Sequence, residues 1–257
     1  MEALRITEAR GGRSVYSKEP AKEGLQMYPH EFTNIHAFVQ RVALDMVRYG
    51  YLYYVTGRVP EGRDPTEVDA KILERYDIAV SKYTRCRRKA AGRANIHYVR
   101  HQDFFVMLAS AKGQHEWFTE EEWSTEQQRK AHGRKIRFVP TQPIVHGGYS
   151  ISYKQSSSTQ RGHVSVRMHP EEYRAVKAYY LDLATRRSVG KLTDEFLRFP
   201  FEPYQLIRQQ RWNIFRAVNA KRKRANFEEV PPTALRKRRR VFKYLVEDDA
   251  QALEEAA

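Results

Sequence analysis

Ile96-His-Tyr-Val-Arg-His-Gln-Asp-Phe-Phe-Val-Met-Leu-Ala109 reads as two strands, Ile96 to Arg100 and Phe104 to Ala109, separated only by His101-Gln-Asp103. A connection this short joins strands only in antiparallel fashion, because parallel neighbours need a crossover of a dozen residues or more. No glycine eases the turn, so its geometry must be taken up by ordinary side chains.

Upstream, Phe32, Ile35, Val39, Val42, Met46 and Tyr49 recur at spacings of three and four, which predicts a helix ended by Gly50. Tyr51-Leu-Tyr-Tyr-Val-Thr-Gly-Arg-Val-Pro60 is rich in aromatic and β-branched residues and predicts a strand. Asp64-Pro65-Thr66 then opens a second helix with Val68, Ile72, Leu73 and Tyr76 on its apolar face. Residues 82 to 101, with seven Lys/Arg and no acid, read as a basic connection to the strand pair.

Downstream, Thr119 followed by Glu122 resembles a capping box and predicts a short helix over Thr119 to Glu126. Strands are expected at Ile136 to Val139, Ile144 to Lys154 and Gly162 to Met168, with His146-Gly-Gly148 permitting a bulge or tight turn and 155–161 a polar hairpin loop. Pro170-Glu-Glu starts a helix through Arg187, and the chain from Lys191 onward reads as helical and increasingly basic.

This order predicts an α+β fold with a mostly antiparallel sheet and a basic helical C-terminal extension. A ferredoxin-like βαββαβ unit fits Tyr51 to Arg187, although the strands there exceed four. The expected organisation is a flexible polar leader at 1–27, an α+β core at 28–188, a basic helical nucleic-acid-binding region at 189–246 and an acidic tail at 247–257.

The chain has 257 residues, a formal charge of +15 and one cysteine, Cys86. One cysteine excludes an intramolecular disulfide and a multi-cysteine zinc site, and fits a reducing, cytoplasmic setting. No apolar run approaches the ~20 residues that span a bilayer, so no transmembrane segment is expected. Such an excess of positive charge argues for a polyanionic partner and says nothing of fold.

The charge is segregated. Pro203 to Val246 carries thirteen Lys/Arg against Glu228 and Glu229 alone. Tyr204 to Arg224 can be written as an amphipathic helix, and Arg236, Lys237, Arg238, Arg239 and Arg240 form a second block. Each phosphate neutralised by such residues releases counterions, which makes nucleic acid the expected partner. The candidate contacts are Arg211, Arg216, Lys221, Arg222, Lys223 and Arg224, with Trp212 stacking, and Arg85, Arg87, Arg88 and Lys89 as a second group. DNA and RNA, single and double strands, attract such a surface alike, and oligomeric state is not encoded in any motif.

Rows of strand aromatics, Tyr51 with Tyr53 and Tyr149 with Tyr153, would stack bases if they faced outward; an inward, core orientation is the better default. The alternative function is a phosphodiester-cleaving enzyme of the replication nickase or transposase kind. Tyr173 would be its nucleophile, with Lys177 one turn away. His97, His101 and Asp103 share a strand face that would hold Mg²⁺ or Mn²⁺. Against it, His97 and His101 lie about 13 Å apart on a regular strand at ~3.3 Å per residue. No His-x-His pair, NTP-binding loop or acid spacing supplies the usual context, and no other cofactor is indicated. An RNA-associated structural protein is the second alternative.

Overall fold

The computed structural model describes residues 28–110, 113–122, 135–155, 162–199 and 203–235. The expected leader at 1–27, most of the loop at 155–161, the Arg236 to Arg240 block and the acidic tail lie outside them. Seven helices and eight strands occur among the described residues, and the fold is α+β.

The first helix, α1, begins over Ile35–Gln40, widens to a π-helical turn over Arg41–Met46 and tightens to a 3-10 turn over Val47–Tyr49. Asn34 caps its start by accepting from the His36 amide, and Gly50 ends it at φ +90°, a conformation glycine adopts without a Cβ penalty.

Five strands form a mixed sheet in the order β1-β3-β4-β2-β5: β1 (Glu31–Phe32), β2 (Tyr51–Arg58), β3 (Ile96–His101), β4 (Phe104–Ser110) and β5 (Arg137–Phe138). The β3–β4 hairpin is antiparallel with Ile96 opposite Ala109 and His101 opposite Phe104. Gln102 makes the tight turn without glycine at φ +56°. β2 lies on the other side of β4, also antiparallel, and β1 adds a short parallel pairing to β3.

A second, antiparallel sheet has the order β6-β7-β8: β6 (Ile144–His146), β7 (Tyr149–Gln155) and β8 (Gly162–Met168). The strand signal from Ile144 to Lys154 divides into two strands at the His146-Gly-Gly148 stretch, where Gly147 (φ +52°) and Gly148 (φ +79°) make a tight turn that folds the chain back on itself.

β3 and β4 are buried on both sides. Val99, Val106 and Leu108 face a main core with α1 and the second sheet, while Ile96, Tyr98, Met107 and Ala109 face a smaller one with Val55, Tyr76, Ile78 and Trp117. That explains why the hairpin reads as a near-continuous apolar run rather than as an alternating one.

α2 (Pro65–Arg75) is capped by Asp64, and α4 (Trp117–Glu120) contributes Trp117 to the smaller core. α4 begins two residues before the expected capping box, so Thr119 lies inside it and its hydroxyl donates to the Glu116 carbonyl. The stretch read as a basic connection contains a helix of its own, α3 (Lys82–Ala90), with Ser81 as its cap. Cations in its last turn suit the negative end of the helix dipole.

α5 (Pro170–Arg186), α6 (Val189–Arg198) and α7 (Gln205–Arg224) complete the fold. Leu192 and Phe196 of α6 and Ile207, Ile214, Phe215 and Val218 of α7 belong to the main core. Helices α6 and α7 thus pack into the same core as the sheets. No helix among the described residues is long and apolar enough to cross a membrane.

Candidate nucleic-acid interface

α7 sorts its cations into two sets. Its buried stripe is Ile207, Arg211, Ile214, Phe215, Val218 and Arg222, so two of the arginines expected at phosphates lie inside the protein. Arg211 donates to the Phe196 carbonyl and lies over the Phe199 ring at 5.3 Å, and burial lowers its pKa. Arg222 donates through Nη1 to the carbonyls of Ala184 (2.6 Å) and Arg187 (3.0 Å) and through Nε to that of Glu228 (2.5 Å). Lys221 Nζ reaches the Leu181 carbonyl at 2.7 Å. Arg222 therefore satisfies carbonyls at the C-terminal end of α5, where a helix leaves acceptors unpaired and carries partial negative charge.

The other set faces solvent. Arg208, Trp212 and Arg216 follow one another at one-turn spacing, all exposed, and Lys223 and Arg224 lie farther along. Trp212 keeps 45% of its surface exposed although its ring stacks on Phe215 at 5.5 Å. None of these four cations has a hydrogen bond or ion pair among the described residues.

α3 divides in the same way. Arg85 donates to the Ile78 carbonyl at 2.9 Å and lies over the Tyr28 ring, and Arg88 is held by the carbonyl and carboxylate of Asp77. Lys82, Arg87 and Lys89 remain exposed and unpaired among the described residues, beside Tyr83, which is 76% exposed. Each helix thus presents an exposed aromatic ring one turn from an exposed, unpaired arginine: Tyr83 with Arg87, and Trp212 with Arg208 and Arg216. Cys86 is exposed on α3.

The residues of the alternative catalytic centre are not brought together. His97 Nδ1 lies 2.8 Å from the Tyr28 hydroxyl, its ring against Tyr51 at 4.5 Å, and burial together with Arg85 and Arg41 pushes its pKa down to about 3. His101 Nδ1 meets His146 Nε2 at 3.0 Å, above a Phe104 ring stacked on His146 at 3.9 Å. Burial and the neighbouring His101 lower His146 to about 4. Asp103 pairs with Arg58 at 2.5 Å. Tyr173 is half-buried against the main core, with Lys177 one turn along α5. Among the described residues no three His, Cys, Asp or Glu side chains are grouped so as to hold a metal ion.

The strand aromatics are half-buried against the two cores. Tyr53 packs on Phe138 and Phe118, and Tyr149 and Tyr153 pack against the main core. Arg236, Lys237, Arg238, Arg239 and Arg240 lie outside the described residues.

Two features escaped the sequence reading. Arg208 was discernible as the residue one turn before Trp212, but only burial shows that it, and not Arg211, faces out. The second is a cavity of about 530 Å³ between the Gly147-Gly148 turn, α5, α6 and the start of α7. Tyr149, Tyr179, Tyr180 and Phe199 supply aromatic wall, and Glu172, Glu195 and Arg198 supply charge. No local pattern announces it, because its lining comes from the glycine turn, two strands and three helices.

The chain matches no protein family, and neither a curated protein nor a solved structure is similar to it.

Proposed function

We propose that the protein binds nucleic acid, and single-stranded segments in preference to duplex, through the exposed faces of α7 and α3. The observation that carries this is the pairing, on both helices, of an exposed aromatic ring with unpaired cations one turn away. Cations track the phosphates, and a ring stacks on unpaired bases irrespective of their identity. In this account Arg208, Arg216, Lys223 and Arg224 with Trp212, and Lys82, Arg87 and Lys89 with Tyr83, bind the strand. Arg211, Arg222, Arg85 and Arg88 act as structural cations.

The five-stranded sheet without its β1 edge has the order β3-β4-β2-β5, which we read as a ferredoxin-like βαββαβ unit. That topology hosts many functions and adds no weight to this one. A lone, exposed Cys86 is compatible with work in the cytoplasm. The cleavage reading draws no support from the separate surroundings of Tyr173, His97, His101 and Asp103.

The test is binding of labelled single-stranded and duplex oligonucleotides of equal length to the wild type, Trp212→Ala and Tyr83→Ala. Each substitution is expected to cost about 1–3 kcal/mol of single-strand affinity and little on duplex. Equal losses on both polymers, or none, would remove stacking from the account.

A further inference from the structure

We propose that the cavity beside α7 is a pocket for one unpaired base of the bound strand, selective for guanine over thymine or uracil; this rests on the function proposed above. Its place favours such a use. Ile207 lines the cavity and is followed directly by Arg208, the first residue of the exposed cationic stripe, and Arg198 stands at the cavity as an exposed cation. A strand running along α7 therefore passes the opening with an arginine on hand for the phosphate of the nucleotide that turns in.

The lining matches a base. Tyr149, Tyr179 and Phe199 are flat apolar surfaces, and Tyr179 keeps 51% of its surface exposed there. The polar groups are spare: the side chains of Glu172, Glu195 and Arg198 have no hydrogen bond or ion pair among the described residues. Tyr180, by contrast, is already committed, its hydroxyl donating to the Glu195 carbonyl at 3.0 Å. Gly148 brings its turn against Glu172, since a Cβ there would stand 3.1 Å from Glu172 Cγ. A larger residue would crowd that carboxylate.

An ionised carboxylate only accepts hydrogen bonds. Guanine presents adjacent N1–H and N2–H donors, which one carboxylate can take with both oxygens. Thymine and uracil present a single N–H between two carbonyls, and those carbonyls would face the carboxylate unfavourably. Adenine and cytosine, with one amino group beside an acceptor, fall between.

The test compares a labelled oligothymidine with the same strand carrying one central guanine, read as a ratio of affinities so that general charge effects cancel. Wild type should favour the guanine strand roughly five-fold or more. Glu172→Ala or Glu195→Ala should bring the ratio to about one, with thermal melting confirming that each variant is folded. Tyr179→Ala should lower it as well. A wild-type ratio of one, or a ratio unchanged in all three variants, overturns the pocket while leaving binding through α7 intact. Absence of binding to either strand overturns the pocket and the proposed function together.

Discussion

The Arg100 guanidinium and the Asp69 carboxylate meet inside the protein, with Nε 2.9 Å from Oδ1 and Nη2 2.9 Å from Oδ2, and with side chains only 4% and 2% exposed. Tyr98 donates its hydroxyl to the same carboxylate, His30 approaches it at 3.3 Å, and Glu31 takes the outer side of Arg100 at 2.9 Å. Burial alone would raise the Asp69 pKa, but hydrogen bonds from His30, Arg100 and Tyr98 outweigh it and hold the group at about 2. The network ties α2 to β3 and β1. Asp69→Ala should destabilise the protein by about 3–5 kcal/mol, because it takes from a buried guanidinium its buried carboxylate and leaves it only the exposed Glu31 and the Gln102 carbonyl. Urea unfolding measures this, and a loss below about 1 kcal/mol would show the pair to behave like a surface ion pair.

His97 sets an acid limit. Buried and neutral at a folded pKa of about 3, it takes up a proton near pH 6.5 once unfolded. Its contribution to stability is therefore complete above pH 6.5 and is lost as pH falls toward 3, with a slope of about 1.4 kcal/mol per pH unit. Unfolding free energies of the wild type and His97→Gln between pH 4 and 7 should converge as pH falls. Parallel curves would contradict the assignment.

Arg222 and Arg216, six residues apart on α7, should fail differently. Arg222→Met removes charge-assisted hydrogen bonds, each worth about 1.5–3 kcal/mol, and should lower the melting temperature without changing the salt dependence of binding. Arg216→Gln should leave melting unchanged and weaken binding across sequences. Similar behaviour of the two variants in both assays would erase the distinction between structural and phosphate-binding cations.

Phe196 has no exposed surface, stacks on Tyr180 at 4.6 Å and meets Phe215 edge-on at 5.5 Å. Phe196→Ala should cost about 3–5 kcal/mol if α6 and α7 are part of the main core. A fully stable variant, judged by denaturant midpoint, would show that this aromatic packing contributes nothing to the main core.

Local signals made the elements legible. Asp64-Pro65 marks the start of α2, Gly50 the end of α1, and the β3–β4 hairpin and its turn stand out from Ile96 to Ala109. What the sequence could not show was which side of an element is covered. Arg211 and Arg222 resemble Arg208 and Arg216 in composition and differ only in what packs over them. The same limit applies to the histidines: His101 finds its partner in His146, 45 residues away, through sheet packing that no motif encodes. The cavity depends on α5, α6, α7 and the Gly147-Gly148 turn converging, and so belongs wholly to tertiary structure.

The most direct test of the central claim is the salt dependence of single-stranded oligonucleotide binding, measured for the wild type and for a variant carrying Arg208→Gln and Arg216→Gln. Log affinity should fall linearly with log salt, with a slope shallower by about 1.4 in the double variant, at ~0.7 for each phosphate no longer neutralised. Identical slopes, or an affinity that salt does not move, would contradict it.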